Sequence, residues 1–177
     1  MRDLTKMMHP KSIVIIGASP KPDSVGNELI KRATQANFNG QIFAVNPKYD
    51  EVEGVPCYPS VSNIPSVVDV AIIATPAKTV LGVIQECAAA KINNVIIISS
   101  GFKETGAEGQ AMENAIAEFA EKNNINVIGP NCLGVINNAD NVRFNGCFAP
   151  IQAVKGNIGF ATCLLYTSPS PRDRTRS

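Results

Sequence analysis

Charge of one sign is what this sequence most clearly lacks. Its 16 basic and 15 acidic side chains leave a formal net charge of +1, which removes the electrostatic case for nucleic acid or an anionic membrane as partner. Paired cysteines are missing too. Cys57, Cys87, Cys132, Cys147 and Cys163 are odd in number, scattered, and never spaced as CxxC, so neither a disulfide framework nor a zinc site is indicated. A reducing, cytoplasmic compartment fits that usage. The N-terminal stretch MRDLTKMMHPKS has no apolar signal core, and the longest aliphatic runs are only strand length, which excludes a membrane-spanning helix. Aromatics are few and tryptophan is absent. What remains is 45% hydrophobic and 18% charged, enough over 177 residues for one globular domain with a well-buried core.

Composition changes abruptly at Cys163. The final CLLYTSPSPRDRTRS is rich in Ser, Pro and Arg and has no periodicity, so it has no means of burying a core. It carries three Arg against one Asp, leaving 13 basic and 14 acidic residues over positions 1–162. The string resembles translated adapter sequence, and residues 163–177 are expected to be a non-native, disordered tail outside the fold.

The body alternates two kinds of signal. The runs SIVIIGA (12–18), QIFAVNP (41–47), VDVAIIATP (68–76), NNVIIIS (93–99) and INVIGP (125–130) are rich in Val and Ile and bounded by Gly, Pro, Asn or Ser, as expected of strands covered on both faces. Between them, residues 25–36, 78–90 and 107–122 place apolar side chains at helical spacing. Leu29, Ile30 and Ala33 form one such face, Val80, Leu81, Ile84 and Ala88 a second, and Met112, Ala115, Ile116 and Phe119 a third. Strand and helix in alternation predict an α/β fold: a Rossmann-like, doubly wound, mainly parallel sheet. Ligands of such sheets bind beyond the carboxyl ends of the strands.

The first of those strand ends opens into GASPKPDSVG. A dinucleotide site shows GxGxxG, with an acidic residue at the end of the second strand for the ribose hydroxyls. Here Gly17 is followed by Ala18 and Ser19, the next glycine is Gly26, and the second strand ends Val45-Asn46-Pro47-Lys48. A cation where NAD needs an acid suggests an adenosine moiety that bears an extra phosphate. Backbone N–H groups of the turn, the Ser19 hydroxyl and the positive end of the helix beginning near Ser24 can still hold a pyrophosphate. The third strand ends ATPAKT, where Pro76 preorganises a helix start and leaves Thr75 in the crevice. The fourth ends SSGFKETG, and the fifth GPNCLG, whose Asn131 offers both donor and acceptor. Each of these also reads as ordinary turn chemistry when taken singly.

Taken in order, VIIGAS, GQIFAVNPKYDEVEGVPCYPSV, DVAIIATPA, VIIISSGFKETG, VIGPNCLGVIN and KGNIGF resemble the N-terminal CoA-binding domain of the NDP-forming acyl-CoA synthetases, kin to the succinyl-CoA synthetase alpha subunit. The likeness runs from about residue 7 to 160. It implies that the extra phosphate is the 3′-phosphate of CoA, met by Lys48, and that Gly17, Ala18 and Ser19 lie against CoA phosphates. It places Thr75 and Pro76 beside adenine and pantetheine, Ile98, Ser99 and Ser100 along the pantetheine arm, and Asn131 near the emerging thiol. The two serines stand where the alpha-subunit branch has a threonine and a glutamate.

The same resemblance implies a domain plan and a chemistry. Residues 1–150 would be the CoA-binding domain, and 151–162 a linker and first strand of a second, flavodoxin-like domain at whose start the chain is truncated. Family enzymes pass a phosphoryl group from acyl phosphate through a histidine of that second domain to ADP on an ATP-grasp module, so ATP, ADP and Mg belong to parts this sequence lacks. His9, the one histidine, stands ahead of the first strand and does not match the relay. Cys132 has no cation beside it in sequence to activate a thiolate and reads as a packed residue. The expected partners are CoA or acyl-CoA, together with missing C-terminal domains or a separate ATP-grasp subunit. The expected function is CoA binding without turnover, within an ADP-forming acyl-CoA, in particular acetyl-CoA, synthetase. The alternatives are the regulatory domain of a protein lysine acetyltransferase and a stand-alone CoA or NAD sensor.

Overall fold

The computed structural model of the chain describes residues 3–149. The expected second-domain segment 151–162 and the tail 163–177 lie outside the described residues. A short helix α1 (Thr5–Met8) leads into strand β1 (Ser12–Ile16), followed by α2 (Val25–Gln35), β2 (Gln41–Val45), β3 (Glu51–Val52) and β4 (Val55–Tyr58). Then come β5 (Val70–Ile73), α3 (Ala77–Ala89), β6 (Asn94–Ile97), α4 (Ala107–Lys122), β7 (Asn126–Ile128), β8 (Gly134–Asn137) and β9 (Phe144–Cys147).

Seven strands make one sheet in the order β3-β4-β2-β1-β5-β6-β7, parallel throughout except for β3, which runs antiparallel to β4. Its six parallel strands have the Rossmann order 3-2-1-4-5-6, so the chain reverses its direction of travel between β1 and β5. The doubly wound, mainly parallel sheet is thus the one the sequence predicts, and all three helices of more than one turn fall within a residue of their expected bounds.

Burial follows from the aliphatic runs. Every residue of β1, β5 and β6 is buried, because helices cover one face and a helix with a hairpin the other. Val14, Ile16, Ala71 and Ile73 pack against Val80, Ile84 and Cys87 of α3 and Ile116 of α4. On the opposite face, Ile13, Ile15 and Ile72 meet Leu29, Ile30 and Ala33 of α2 and Phe144 of β9. Each such aliphatic side chain contributes about 1.5–3 kcal/mol on leaving water.

Five strands are expected from the sequence, and the sheet has seven. The added pair, β3 and β4, is joined by the two residues Glu53 and Gly54, both at positive φ (52° and 77°), which is the geometry of a tight hairpin turn that follows strand twist. Pro56 sits in β4 opposite Glu51, and a proline in so short a run argues against a strand in sequence. A separate β8–β9 hairpin packs on α2, in the layer beside that helix.

Candidate functional site

At the carboxyl ends of β1 and β5 the glycines do the work that GxGxxG does elsewhere, at different spacing. Gly17 leaves β1 at φ +92°, and a Cβ there would stand 2.6 Å from the Ala74 carbonyl oxygen at the end of β5. Gly26, in the first turn of α2, lets the helix start against the strand end: a Cβ on it would lie 2.1 Å from the Gly17 carbonyl oxygen. The longer loop between them ends at Ser24, whose hydroxyl caps α2 by accepting from the Asn27 N–H. Within the described residues, no hydrogen bond occupies the N–H groups of Ala18 or Ser19, and Ser19, which lines the cleft, offers its backbone donor next to a helix N-terminus. Ala18 as a whole is buried, and the turn meets the cleft through Gly17 and Ser19 on either side of it.

The end of β2 is tied to this turn by a residue that sequence reasoning did not single out. Asn46 donates through Nδ2 to the Ala18 carbonyl at 2.7 Å, while its Oδ1 accepts from the Lys48 N–H at 3.0 Å. One side chain thus sets the position of the Gly17–Ser19 turn and directs the chain so that Lys48 is exposed beside it. Lys48 makes no ion pair with the described residues. The Asn-Pro-Lys order was its only sequence signal, since an asparagine there caps its own backbone.

On the other side of the switch point the strand ends are laced together by hydroxyls. Thr79 in the first turn of α3 donates to the Thr75 hydroxyl at 3.0 Å. The Ser99 hydroxyl donates to the Thr75 carbonyl, and the Asn131 N–H donates to the Ser99 carbonyl at 3.0 Å. Asn131 has φ +55°, a conformation asparagine adopts more readily than other residues with a Cβ. Thr79, like Asn46, was missed by sequence, because its role depends on the helix turn that brings it back over Thr75. Ile98 is only 6% exposed, so it borders the site with its backbone more than its side chain.

Two clefts result, sharing Ala74, Thr75 and Pro76. One, about 610 Å³, runs from Gly17 and Ser19 past Lys48 and Tyr49 to Thr79 and Val83 of α3. The other, about 440 Å³, runs over Ile98, Ser99 and Ser100 to Asn131, Cys132 and Leu133. Nine of the ten expected site residues therefore line these two adjoining clefts along the sheet's carboxyl edge, and the tenth, Ala18, lies in the turn between Gly17 and Ser19. A somewhat larger groove of about 660 Å³ lies at the amino ends, between the residues before β5 and the last turn of α3. It is lined by Ile64, Val67 and Ala89 with no cation, which does not suit a phosphate-bearing ligand.

Reactive side chains are sparse around the groove. His9 is exposed and caps α1 ahead of β1, at the far ends of the strands. Cys132 donates its thiol to the Ile97 carbonyl at 3.3 Å, and burial pushes that thiol above its ordinary value, with hydrogen bonds from the Gly134 and Cys132 backbone offsetting part of the effect. Such a thiol is a packed group rather than a nucleophile. Among the described residues, no three His, Cys, Asp or Glu cluster as a metal site, and no helix is long and apolar enough to cross a membrane.

Residues 11–138 match the family described as CoA binding domain. The chain is 43% identical over 157 residues to an acetate–CoA ligase (ADP-forming) I of Archaeoglobus fulgidus, covering 89% of this chain and 22% of that protein. It is 40% identical over the same length to the alpha subunit of acetate–CoA ligase (ADP-forming) II of Pyrococcus furiosus, covering 34% of that subunit. A solved acetyl-coenzyme A synthetase 1 of Ca. Korarchaeum cryptofilum, in complex with phosphate and ADP, superposes with a TM-score of 0.83 at 36% identity, over 89% of this chain and 33% of that one. The chain spans between about a fifth and a third of the length of these relatives. With the Rossmann order, the strand-end groove and the family match in agreement, the chain belongs to the CoA-binding domain family and is homologous to part of the ADP-forming acetate–CoA ligases.

Proposed function

We propose that the groove holds CoA in one orientation, with its phosphates on the Gly17–Ser19 turn and the start of α2 and its 3′-phosphate on Lys48. The adenine and pantetheine pass Thr75 and Pro76, and the arm follows Ile98, Ser99 and Ser100 to a thiol near Asn131. The observation that carries this reading is at the end of β2. There Asn46 and the exposed Lys48 stand where a nicotinamide dinucleotide would need a carboxylate. The free Ser19 N–H and the helix start beside it fit a pyrophosphate, and the hydroxyl ledge of Thr75 and Ser99 fits an uncharged amide-bearing arm.

Residues 1–150 then form the CoA-binding domain of an ADP-forming acyl-CoA ligase, with acetate as the acid. In such an enzyme the phosphoryl relay and the ATP site lie on other domains or on a partner subunit. The described residues bring no histidine to the groove, so this chain by itself binds CoA and acyl-CoA without turning them over. Calorimetric titration with CoA, dephospho-CoA and NAD tests the reading. CoA should bind most tightly, dephospho-CoA more weakly, and NAD most weakly; NAD binding as tight as CoA would refute it, and steady acyl-CoA formation by this chain would refute the division of labour.

A further inference from the structure

The tip of the β3–β4 hairpin reaches back to the phosphate-side turn through two side chains. Asn27, with no exposed surface, spends both hydrogens of its Nδ2 on acceptors from different elements: the Ser19 carbonyl at 3.1 Å and Glu53 Oε1 at 2.8 Å. Its own N–H donates to Ser24, the cap of α2. Asn27 Oδ1 has no partner among the described residues, so the amide is oriented by its donor end alone. The acceptor that fixes it from outside α2 and its leading loop is Glu53.

Glu53 is an unlikely residue for its backbone position. It occupies the first central place of a two-residue turn at φ +52°, followed by Gly54 at +77°, where Asn, Asp or Gly is favoured. A glutamate held in that conformation points to a use for its side chain. The nearby Lys31 is not that use: its Nζ lies 4.0 Å from Oε1 with both side chains about one-third exposed, and exposed pairs at that distance contribute little.

We propose that Glu53 is a positioning residue for ligand binding: through Asn27 it holds the Ser19 carbonyl, and so the turn whose N–H groups face the phosphates, in its binding conformation. This rests on the CoA reading above. It gives the hairpin a use, since the loop from Gly17 to Gly26 is longer than that of GxGxxG and a longer loop has more conformations to exclude before it can bind.

The test uses the full chain with Glu53→Ala and Glu53→Gln, titrated with CoA and dephospho-CoA, and amide hydrogen exchange of the ligand-free proteins. Glu53→Ala should weaken both ligands equally, by about tenfold, as expected for loss of a hydrogen bond to a charged acceptor. Glu53→Gln, whose amide oxygen still accepts from Asn27, should stay within about threefold of wild type. Exchange in Glu53→Ala should accelerate at the hydrogen-bonded amides of the loop and helix start, Lys21, Ser24, Asn27 and Glu28, and not in β1, β5 or β6. Unchanged CoA affinity in Glu53→Ala overturns the inference, as does a loss in Glu53→Gln equal to that in Glu53→Ala, or exchange that rises uniformly along the chain. Should wild type fail to bind CoA, the CoA reading falls by itself, and the exchange profile still decides whether Glu53 orders the turn.

Discussion

The two ends of the sheet are built from the same kinds of residue and do opposite things with them. At the amino ends, polar side chains consume one another. Asp69 accepts from the Lys11 N–H at 2.9 Å and pairs with Lys6 at 3.1 Å. Asn94 donates to the Asp69 carbonyl, and Asn126 donates to Asn94 and to the Asp3 carbonyl. Ser12 donates to the Val67 carbonyl and accepts from the Asp69 N–H. At the carboxyl ends, Asn46, Thr75 and Ser99 each fix a neighbouring loop, yet Lys48, Ser100 and Asn131 remain exposed. One end is a closed lattice that locks strands together; the other is scaffolding that leaves donors and a cation for a ligand. Chain direction decides which is which, because parallel strands gather all their outgoing loops at one edge.

The largest effect is expected at the carboxyl edge, where the backbone itself is the scaffold. Gly17→Val places a branched side chain at φ +92° against the Ala74 carbonyl. Left-handed strain and overpacking together should cost at least about 3 kcal/mol. Chemical denaturation should show that loss, and CoA titration of whatever remains folded should give no heat. A variant that stays as stable as wild type would mean the close approach of β1 and β5 is dispensable.

Next in size is the opposite edge. Asp69→Ala strands the Lys11 N–H and removes the Lys6 pair, at a cost of about 2 kcal/mol of stability. CoA affinity should nevertheless stay within about twofold, since strands of four or five residues put roughly 13–16 Å between the edges, far enough for independent behaviour. If Asp69→Ala weakened CoA as much as it weakened the fold, the two ends would not be separable.

The distinction between these ends explains what the sequence could tell. Continuous runs such as Ile13–Ile16 and Val95–Ile98 announce buried parallel strands, and topology then follows from their alternation with helices. Gly17, Ser19, Lys48, Thr75 and Asn131 were legible because each falls just after such a run. Asn46 and Thr79 were not, since an asparagine that reaches another loop and a threonine that folds back one turn look like caps in sequence. Asn27 and Glu53 were still less visible: 26 residues separate them, and the hairpin that brings them together holds a proline, a glycine and two glutamates, which mask its strands. Neither signal could be recovered without the register Glu51↔Pro56 and Val52↔Val55.

A smaller effect separates charge from scaffold within the carboxyl edge. Lys48→Ala should leave stability unchanged, because the side chain is exposed and unpaired among the described residues. Its loss should weaken CoA by about tenfold, the low end for a charge-assisted contact because solvent screens it. Dephospho-CoA should change by no more than about threefold, and the CoA difference should shrink as salt is raised. Equal losses for the two ligands would move Lys48 from the 3′-phosphate to another part of the coenzyme.

Cys132 is the residue that tests whether position alone decides a role. It lies at the ligand edge, yet its thiol is turned to the Ile97 carbonyl and a Cβ on Gly129 would come within 3.2 Å of the sulfur, so it is packed as the amino-end residues are. Burial raises its ionisation above the ordinary thiol value. With the folded-state value raised, the protonated form is what the fold favours: its contribution to stability is intact below about pH 8.5 and is lost as pH climbs through the folded-state value. Cys132→Ala should therefore shift CoA affinity by less than about threefold. Peptide-resolved alkylation with iodoacetamide at pH 7.5 should be much slower at Cys132 in the native chain than in the unfolded one, and should accelerate with rising pH because the thiolate is the reacting form. Rapid native-state alkylation at neutral pH, suppressed by CoA, would instead make this sulfur part of the ligand's path and erase the contrast between a residue near the groove and a residue that serves it.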